Sequence, residues 1–207
     1  MIGFIKRYLL PREVDFNAAL EAQARIARHM VETLYQACIK DDRKLMLSID
    51  DLAADAHEQK TRNMKELLNV FITPYDKESI YRMIIQLDWI TLSVKHFRLE
   101  ADVYDLDSLA EYDNILKVTL EMADALLQGI SVLKKRNIEL IDARLEQIHD
   151  QYDDVVAHCA RATALQMTRD DPLKVIRTQL MMRQLKDLAM RIHVAANTLE
   201  DMALKVS

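Results

Sequence analysis

Glycine and proline are nearly missing from this chain, with two and three residues respectively among 207. A sheet protein turns its strands with these residues, so the composition points instead to helices joined by short connections. Cysteine is equally scarce. Cys38 and Cys159 sit far apart in helical patterns and form no C-x-x-C pair. That excludes a disulfide framework and a thiolate zinc site, and it makes the cytoplasm the natural compartment. A basic excess is absent as well: 28 Lys and Arg stand against 33 Asp and Glu, a net charge of -5. A nucleic-acid binder would show a basic stripe, so nucleic acid is not an expected partner. No run approaches the ~18 apolar residues that a membrane-spanning helix requires. Met1 to Leu10 is too short and broken, with Lys6 and Arg7 inside it, for a signal peptide. Two readings of it stay open, ordinary packing and a small amphipathic patch on a membrane surface.

What is present is apolar periodicity, carried by a chain that is 50% hydrophobic and 29% charged. A first helix is expected from about Asp15 to Lys40, with Phe16, Leu20, Ala27, Met30, Leu34 and Ala37 on one side. Asp41-Asp42 breaks it, and these acids suit the start of a second helix. That helix carries Leu45, Ile49, Leu52, Ala56, Met64, Leu67 and Phe71 on one stripe. At about 27 residues, or about 40 Å, it has the length of a bundle helix. Pro74 cannot continue a helix and pushes Thr73 out of the helical region, so a sharp corner follows. Asp76 stands at the N-cap position of a third helix, about Glu78 to Ala101, which buries Ile80, Ile84, Leu87, Val94 and Phe97.

The acidic stretch Asp102 to Asp107 reads as the joint between two halves. A fourth helix, about Ser108 to Lys134, buries Leu109, Ile115, Leu116, Leu120, Ala123, Leu127 and Ile130, and carries Gly129 for close packing or a bend. A fifth runs from Asn137 to about Met167. After a second corner, a sixth opens at Pro172 and carries Val175, Leu180, Leu185, Leu188, Ile192, Ala195, Leu199 and Met202. The fold class is therefore all-α, six helices in two tandem antiparallel three-helix units. One domain spans residues 1–207, with pseudo-repeats at about 13–101 and 108–205; sliding the second helix by 96 positions brings Leu52 onto Ile148, Ala56 onto Tyr152 and Phe71 onto Met167 of the fifth.

The corner Phe71-Ile72-Thr73-Pro74-Tyr75-Asp76, followed by Ile80-Tyr81-Arg82 and Leu87-Asp88, closely resembles the PhoU-like family, in the branch of phosphate transport regulators that accompany Pit-type phosphate transporters. The resemblance implies a six-helix bundle in the cytoplasm, reaching the inner face of the membrane. It further implies regulatory contact with an inorganic phosphate transporter, assembly as a homodimer or higher homo-oligomer, and clusters of divalent or iron-type metal ions. In that family Glu-x-x-x-Asp motifs on the second helix of each triplet face acidic pairs on the third. Carboxylates four apart share a helix face and converge on a cation with those opposite.

Here the motifs are altered. The first falls on Ala53 and His57, with Asp55 nearby, and faces Asp88 and Leu92. The second falls on His149 and Asp153, facing Met190 and Val194 with His193 beside them, and Glu146 and Asp150 add local acid density. The candidate metal residues are thus Asp55, His57, Asp88, His149, Asp153 and His193. His149 and Asp153, one turn apart, suit a divalent transition metal. The ordinary alternative for each histidine is a solvated or hydrogen-bonded side chain, and for Asp88 a bond to a facing helix.

Two other functional classes compete with the regulator. A dinuclear carboxylate enzyme needs Glu-x-x-His repeats across four helices, and Glu146 with His149 is a single pair. Neither a Gly-rich phosphate loop nor a Gly-x-Ser-x-Gly elbow occurs, so no catalysis is expected. A plain interaction scaffold, or a metal-binding bundle unrelated to phosphate, needs only the stripes. The 11 methionines serve it as core filling or as an adaptable partner surface.

Overall fold

The computed structural model describes residues 14–104, 106, 108–168 and 171–205. The stretch Met1 to Leu10 therefore lies outside the described residues, as do Asp105 and Asp107 of the expected joint. Those described form helices α1 (Phe16–Lys40), α2 (Arg43–Leu47), α3 (Ile49–Asn69), α4 (Lys77–Val103), α5 (Asp113–Leu133), α6 (Ile138–Gln166) and α7 (Pro172–Leu204), with a 3-10 turn at Ala110–Tyr112. Six of the helices are long. Helix α2 is a five-residue prelude to α3, so the single second helix expected from periodicity is broken at Ser48. The Ser48 hydroxyl there donates to the Leu45 carbonyl at 2.7 Å, offering the backbone an alternative to a continuous helix.

The caps follow the chemistry of the sequence. Asp15, Asp42, Asp76, Asn137 and Asp171 each accept from a backbone N–H in the first turn of the helix that follows them. Asp41 closes α1 in the left-handed region at φ 49°, and its carboxylate accepts from the Leu109 N–H at 3.2 Å, tying the first break to the joint between halves.

At the Pro74 corner α3 stops at Asn69 and Val70 turns extended and buried. Phe71 and Ile72 then point outward, 85% and 72% exposed. This corrects the expected buried stripe, which placed Phe71 on the core side. Once the chain leaves helical geometry the 3.6-residue phase no longer applies. The turn itself is well anchored. The Thr73 hydroxyl donates to the Tyr75 carbonyl at 2.6 Å, Tyr75 donates its phenol to Asn17 on α1, and Lys77 reaches the Val70 carbonyl at 2.6 Å.

The two triplets do not stand apart. Helix α1 packs on α5 as well as on α3 and α4, and α4 packs on α7 as well as on α3 and α1. Phe16, Leu20, Met30 and Leu34 of α1, and Ile80, Ile84, Leu87, Val94 and Phe97 of α4, are buried as expected. A buried amide relay holds α1, α3 and α4 in register: Asn63 donates to Gln23 at 2.8 Å, and Gln23 donates to the Ile84 carbonyl at 2.8 Å. Arg28 pairs with Asp124 at 2.6 Å across α1 and α5. Where α4 begins and α7 ends, Asp201 accepts from Ser79 and Arg82 and pairs with Lys205. The bond from Lys205, with Ser79 and Arg82 assisting, holds the Asp201 carboxyl below its ordinary range.

Two expectations for the last helix change. Val175 is half-buried and Leu180 is exposed, because α7 contacts the core only through its other face in its first turns. Gly129 permits close packing. A Cβ built there would meet Cδ2 of the buried Leu199 at 2.6 Å, well inside contact distance. Gly129→Ala is expected to lower stability by about 1 kcal/mol, overpacking outweighing the gain in helix propensity. Measured by chemical denaturation, the same change made in a Leu199→Ala background should cost nothing or be stabilising.

Candidate functional site

The positions assigned to the first motif do converge. Ala53, His57, Asp88 and Leu92 line one cavity of about 260 Å³ between α3 and α4, together with Asp50, Thr91 and Lys95. The period of the helix explains this: 53 and 57 are one turn apart, as are 88 and 92, and the two faces meet. Asp55 is exposed and does not line the cavity. It lies two positions from both Ala53 and His57, near the opposite side of α3, so the expectation that it joins them is corrected.

The chemistry of the cavity is not that of a metal cluster. Asp88 is buried, and Lys60 Nζ sits 2.8 Å from its Oδ2. Asp50 is held by Arg98 at 2.7 Å, and Lys95 adds another cation to the lining. A buried carboxylate demands a counter-charge, and here an ammonium supplies it. With Ala53 and Leu92 offering no donor and His57 exposed, the set does not fit a metal ion. Sequence reasoning missed Lys60. Lys60 visibly lies one turn after His57 on the same helix face, but which acid it meets depends on how α3 sits against α4.

The second motif brings different groups together. His149 on α6 and His193 on α7 have ring centroids 4.7 Å apart, and Tyr152 stacks on His193 at 4.8 Å. His149 Nε2 lies 3.2 Å from Asn197 Oδ1. Burial, and then the neighbouring His149, hold the His193 imidazole below its ordinary pKa, while Asp153 pulls the other way. Asp153 is exposed, and Met190 and Val194 are half-buried without donor chemistry. The expected pair therefore becomes two imidazoles with one carboxylate in electrostatic reach. Tyr152 and Asn197 were missed, although Asn197 follows His193 by one turn. Among the described residues no group of three or more His, Cys, Asp and Glu is arranged to hold a metal ion.

The thiols do not supplement either site. Burial pushes Cys38 up to about 12 and Cys159 up to about 11, so both are protonated at neutral pH and poor donors or nucleophiles. Among the described residues no helix is long and apolar enough to cross a membrane.

This arrangement, six long helices with side-chain clusters between the second and third of each triplet, can be set against known proteins. A putative PhoU-like phosphate regulatory protein from Shewanella oneidensis superimposes with a TM-score of 0.80 at 13% identity, over 93% of this chain and 100% of that one. The chain has the PhoU-like fold. A second PhoU-like structure from the same organism gives a TM-score of 0.81 at 13% identity and the same coverage. PhoU from Pseudomonas aeruginosa gives 0.57 at 14% identity over 91% of this chain and 95% of its own. In sequence, the UPF0111 protein YkaA of Bacillus subtilis is 26% identical over 145 residues, 69% of this chain and 70% of its own. No protein-family profile matches the chain.

Within this PhoU-like bundle the Asp88–Lys60 pair is open to direct test. Lys60→Met leaves a buried carboxylate without a partner and is expected to cost about 3 kcal/mol in urea unfolding. Adding Asp88→Leu to that variant should restore most of the loss, since an apolar pair of similar volume has no charge to desolvate.

Proposed function

We propose that the protein is a non-catalytic regulator of inorganic phosphate transport, acting in the cytoplasm by contact with a transporter at the inner face of the membrane. The observation that carries this reading is the match of its whole described fold to a PhoU-like phosphate regulatory protein, at a TM-score of 0.80. The Pro74 corner adds support. Leu68, Phe71 and Ile72 form an exposed apolar group on a turn held by several hydrogen bonds, a rigid surface that a partner could cover. The altered motifs favour contact over chemistry, because the α3–α4 cavity neutralises its own carboxylates with Lys60 and Arg98. Assembly with a second copy belongs to the same reading.

Deleting the gene in its own host is expected to change phosphate uptake or the response to phosphate starvation. Tagged protein should copurify with a phosphate transporter, and Phe71→Ser with Ile72→Ser should weaken that capture without changing the thermal midpoint. Unchanged uptake and starvation signalling after deletion would leave the plain scaffold as the better reading.

A metal ion enters this proposal only at α6–α7. His149 and His193 offer two borderline nitrogen donors of the kind that a divalent transition metal or iron prefers, and solvent would complete the coordination shell. When bound, the ion would stiffen the contact between these two helices. Elemental analysis of protein purified without chelator is expected to find substoichiometric to stoichiometric metal, lost in a His149→Ala, His193→Ala variant and unaffected by His57→Ala. Metal retained in the double variant, or none in the parent, would remove it from the proposal.

A further inference from the structure

The first four turns of α7 present an outer face that the bundle leaves uncovered. Leu173, Ile176 and Leu180 follow one another at spacings of three and four, and are 67%, 53% and 37% exposed. They form one aliphatic row on the helix surface. Exposed Arg177 stands on one flank of the row and exposed Arg183 on the other, while exposed Lys186, nine positions from Arg177, lies on the opposite side of the helix from it. From Pro172 to Lys186 there is no Asp or Glu, although the whole chain carries a net charge of -5. Among the described residues none of these three bases is in an ion pair, whereas Arg28, Lys60, Arg82 and Arg98 all are.

The nearest acids are already engaged or marginal. Asp171 and Glu111 line one cavity with Leu173 and Arg177; Asp171 caps α7 by accepting from the N–H groups of Leu173 and Lys174, and Glu111 accepts from Gln166 at 3.1 Å. Glu100 on α4 accepts from Gln184 at 2.6 Å, and the half-buried Asp187 ends the stretch. The last turn of α6 and the residue after it bring exposed Leu165 and Met167 to the same corner. An aliphatic row flanked by free cations thus sits at one corner of an otherwise acidic molecule.

We propose that this face of α7 docks on an anionic phospholipid bilayer, with the aliphatic row entering the interface and Arg177 and Arg183 on the headgroups. The charge complementarity is local: two unpaired bases, one on each side of the row, meet a negative surface, and α7 itself carries no acid between Pro172 and Lys186. Outward-standing aliphatics suit a deformable interface, into which such a row sinks about 5–10 Å while long cationic side chains reach back to the phosphates. The inference deepens the proposed function by naming the surface that holds the protein at the membrane, and it rests on that reading only for its cellular meaning.

Flotation of the full chain with vesicles tests it directly. Binding is expected to vesicles of phosphatidylcholine with phosphatidylglycerol, to be absent with phosphatidylcholine alone, and to fall as salt rises. Arg177→Glu with Arg183→Glu should weaken the partition about 30-fold or more, at the usual contribution of each basic residue near an anionic surface. Leu173→Ser with Ile176→Ser should weaken it about tenfold. All four positions are exposed, so circular dichroism should show an unchanged thermal midpoint, and any binding change is then read at the surface. No binding to either vesicle, equal binding to both, or binding that survives both variants would overturn the proposal. So would binding removed only by Lys6→Glu with Arg7→Glu. If vesicles stay bare while the α7 variants abolish capture of the phosphate transporter, the face docks a protein and the bilayer is the wrong occupant. Failure with vesicles leaves the uptake phenotype standing, and a missing phenotype leaves vesicle binding standing, so the two readings fail separately.

Discussion

Helices α1 and α4 are buried from two sides at once, and the rest of the molecule follows from that. Each packs within its own triplet and also on the other, α1 on α5 and α4 on α7. Apolar burial on both sides stabilises one shared core, since a three-helix unit alone would leave one of these faces in water. The same geometry forces every polar group on those faces to find a partner. Gln23 and Asn63 satisfy each other and the Ile84 carbonyl, which sets the register of three helices through directional bonds that apolar packing cannot provide. Asp88, on the most enclosed helix, finds Lys60.

That ion pair also leaves the α3–α4 cavity charge-balanced. Electrostatic balance, rather than any particular cation, is what the buried Asp88 requires. A lysine on the facing helix meets the requirement from within the chain, and it leaves Ala53 and Leu92 free of any ligand duty. The second triplet solves its version differently. Two imidazoles can lie 4.7 Å apart because each can be neutral, which two carboxylates at that distance could not be at neutral pH. The two inter-helix clusters therefore differ in chemistry, one internally neutralised and one with ring nitrogens facing each other.

Surface features point outward in a consistent way. The Pro74 corner exposes Phe71 and Ile72, the second corner exposes Met167 just before it, and α7 exposes an aliphatic row just after it. Large apolar side chains gathered at chain reversals cost solubility unless something covers them.

Much of the fold was legible in the sequence, and particular residues show where legibility stopped. Period and caps placed six long helices, because helix start signals such as Asp76 and Asn137 act on their own first turn, and because apolar spacing reports which face is dry wherever the helix is continuous. The same logic failed at Phe71, where the helix had already ended, and at Leu180, where the helix continued past the core it was assumed to face. Spacing brought 53 with 57 and 88 with 92. Lys60 against Asp88, and Asn197 against His149, depend on the rotation and offset of two helices about each other, which no local pattern encodes. The sequence alone determined where this chain is helical, where it turns and that it makes six long helices, since those are short-range preferences of backbone and burial. Only the tertiary structure decided which charge neutralises Asp88, which rings meet at His149, and which apolar side chains are left facing water, because those outcomes belong to pairs of helices and not to either helix by itself.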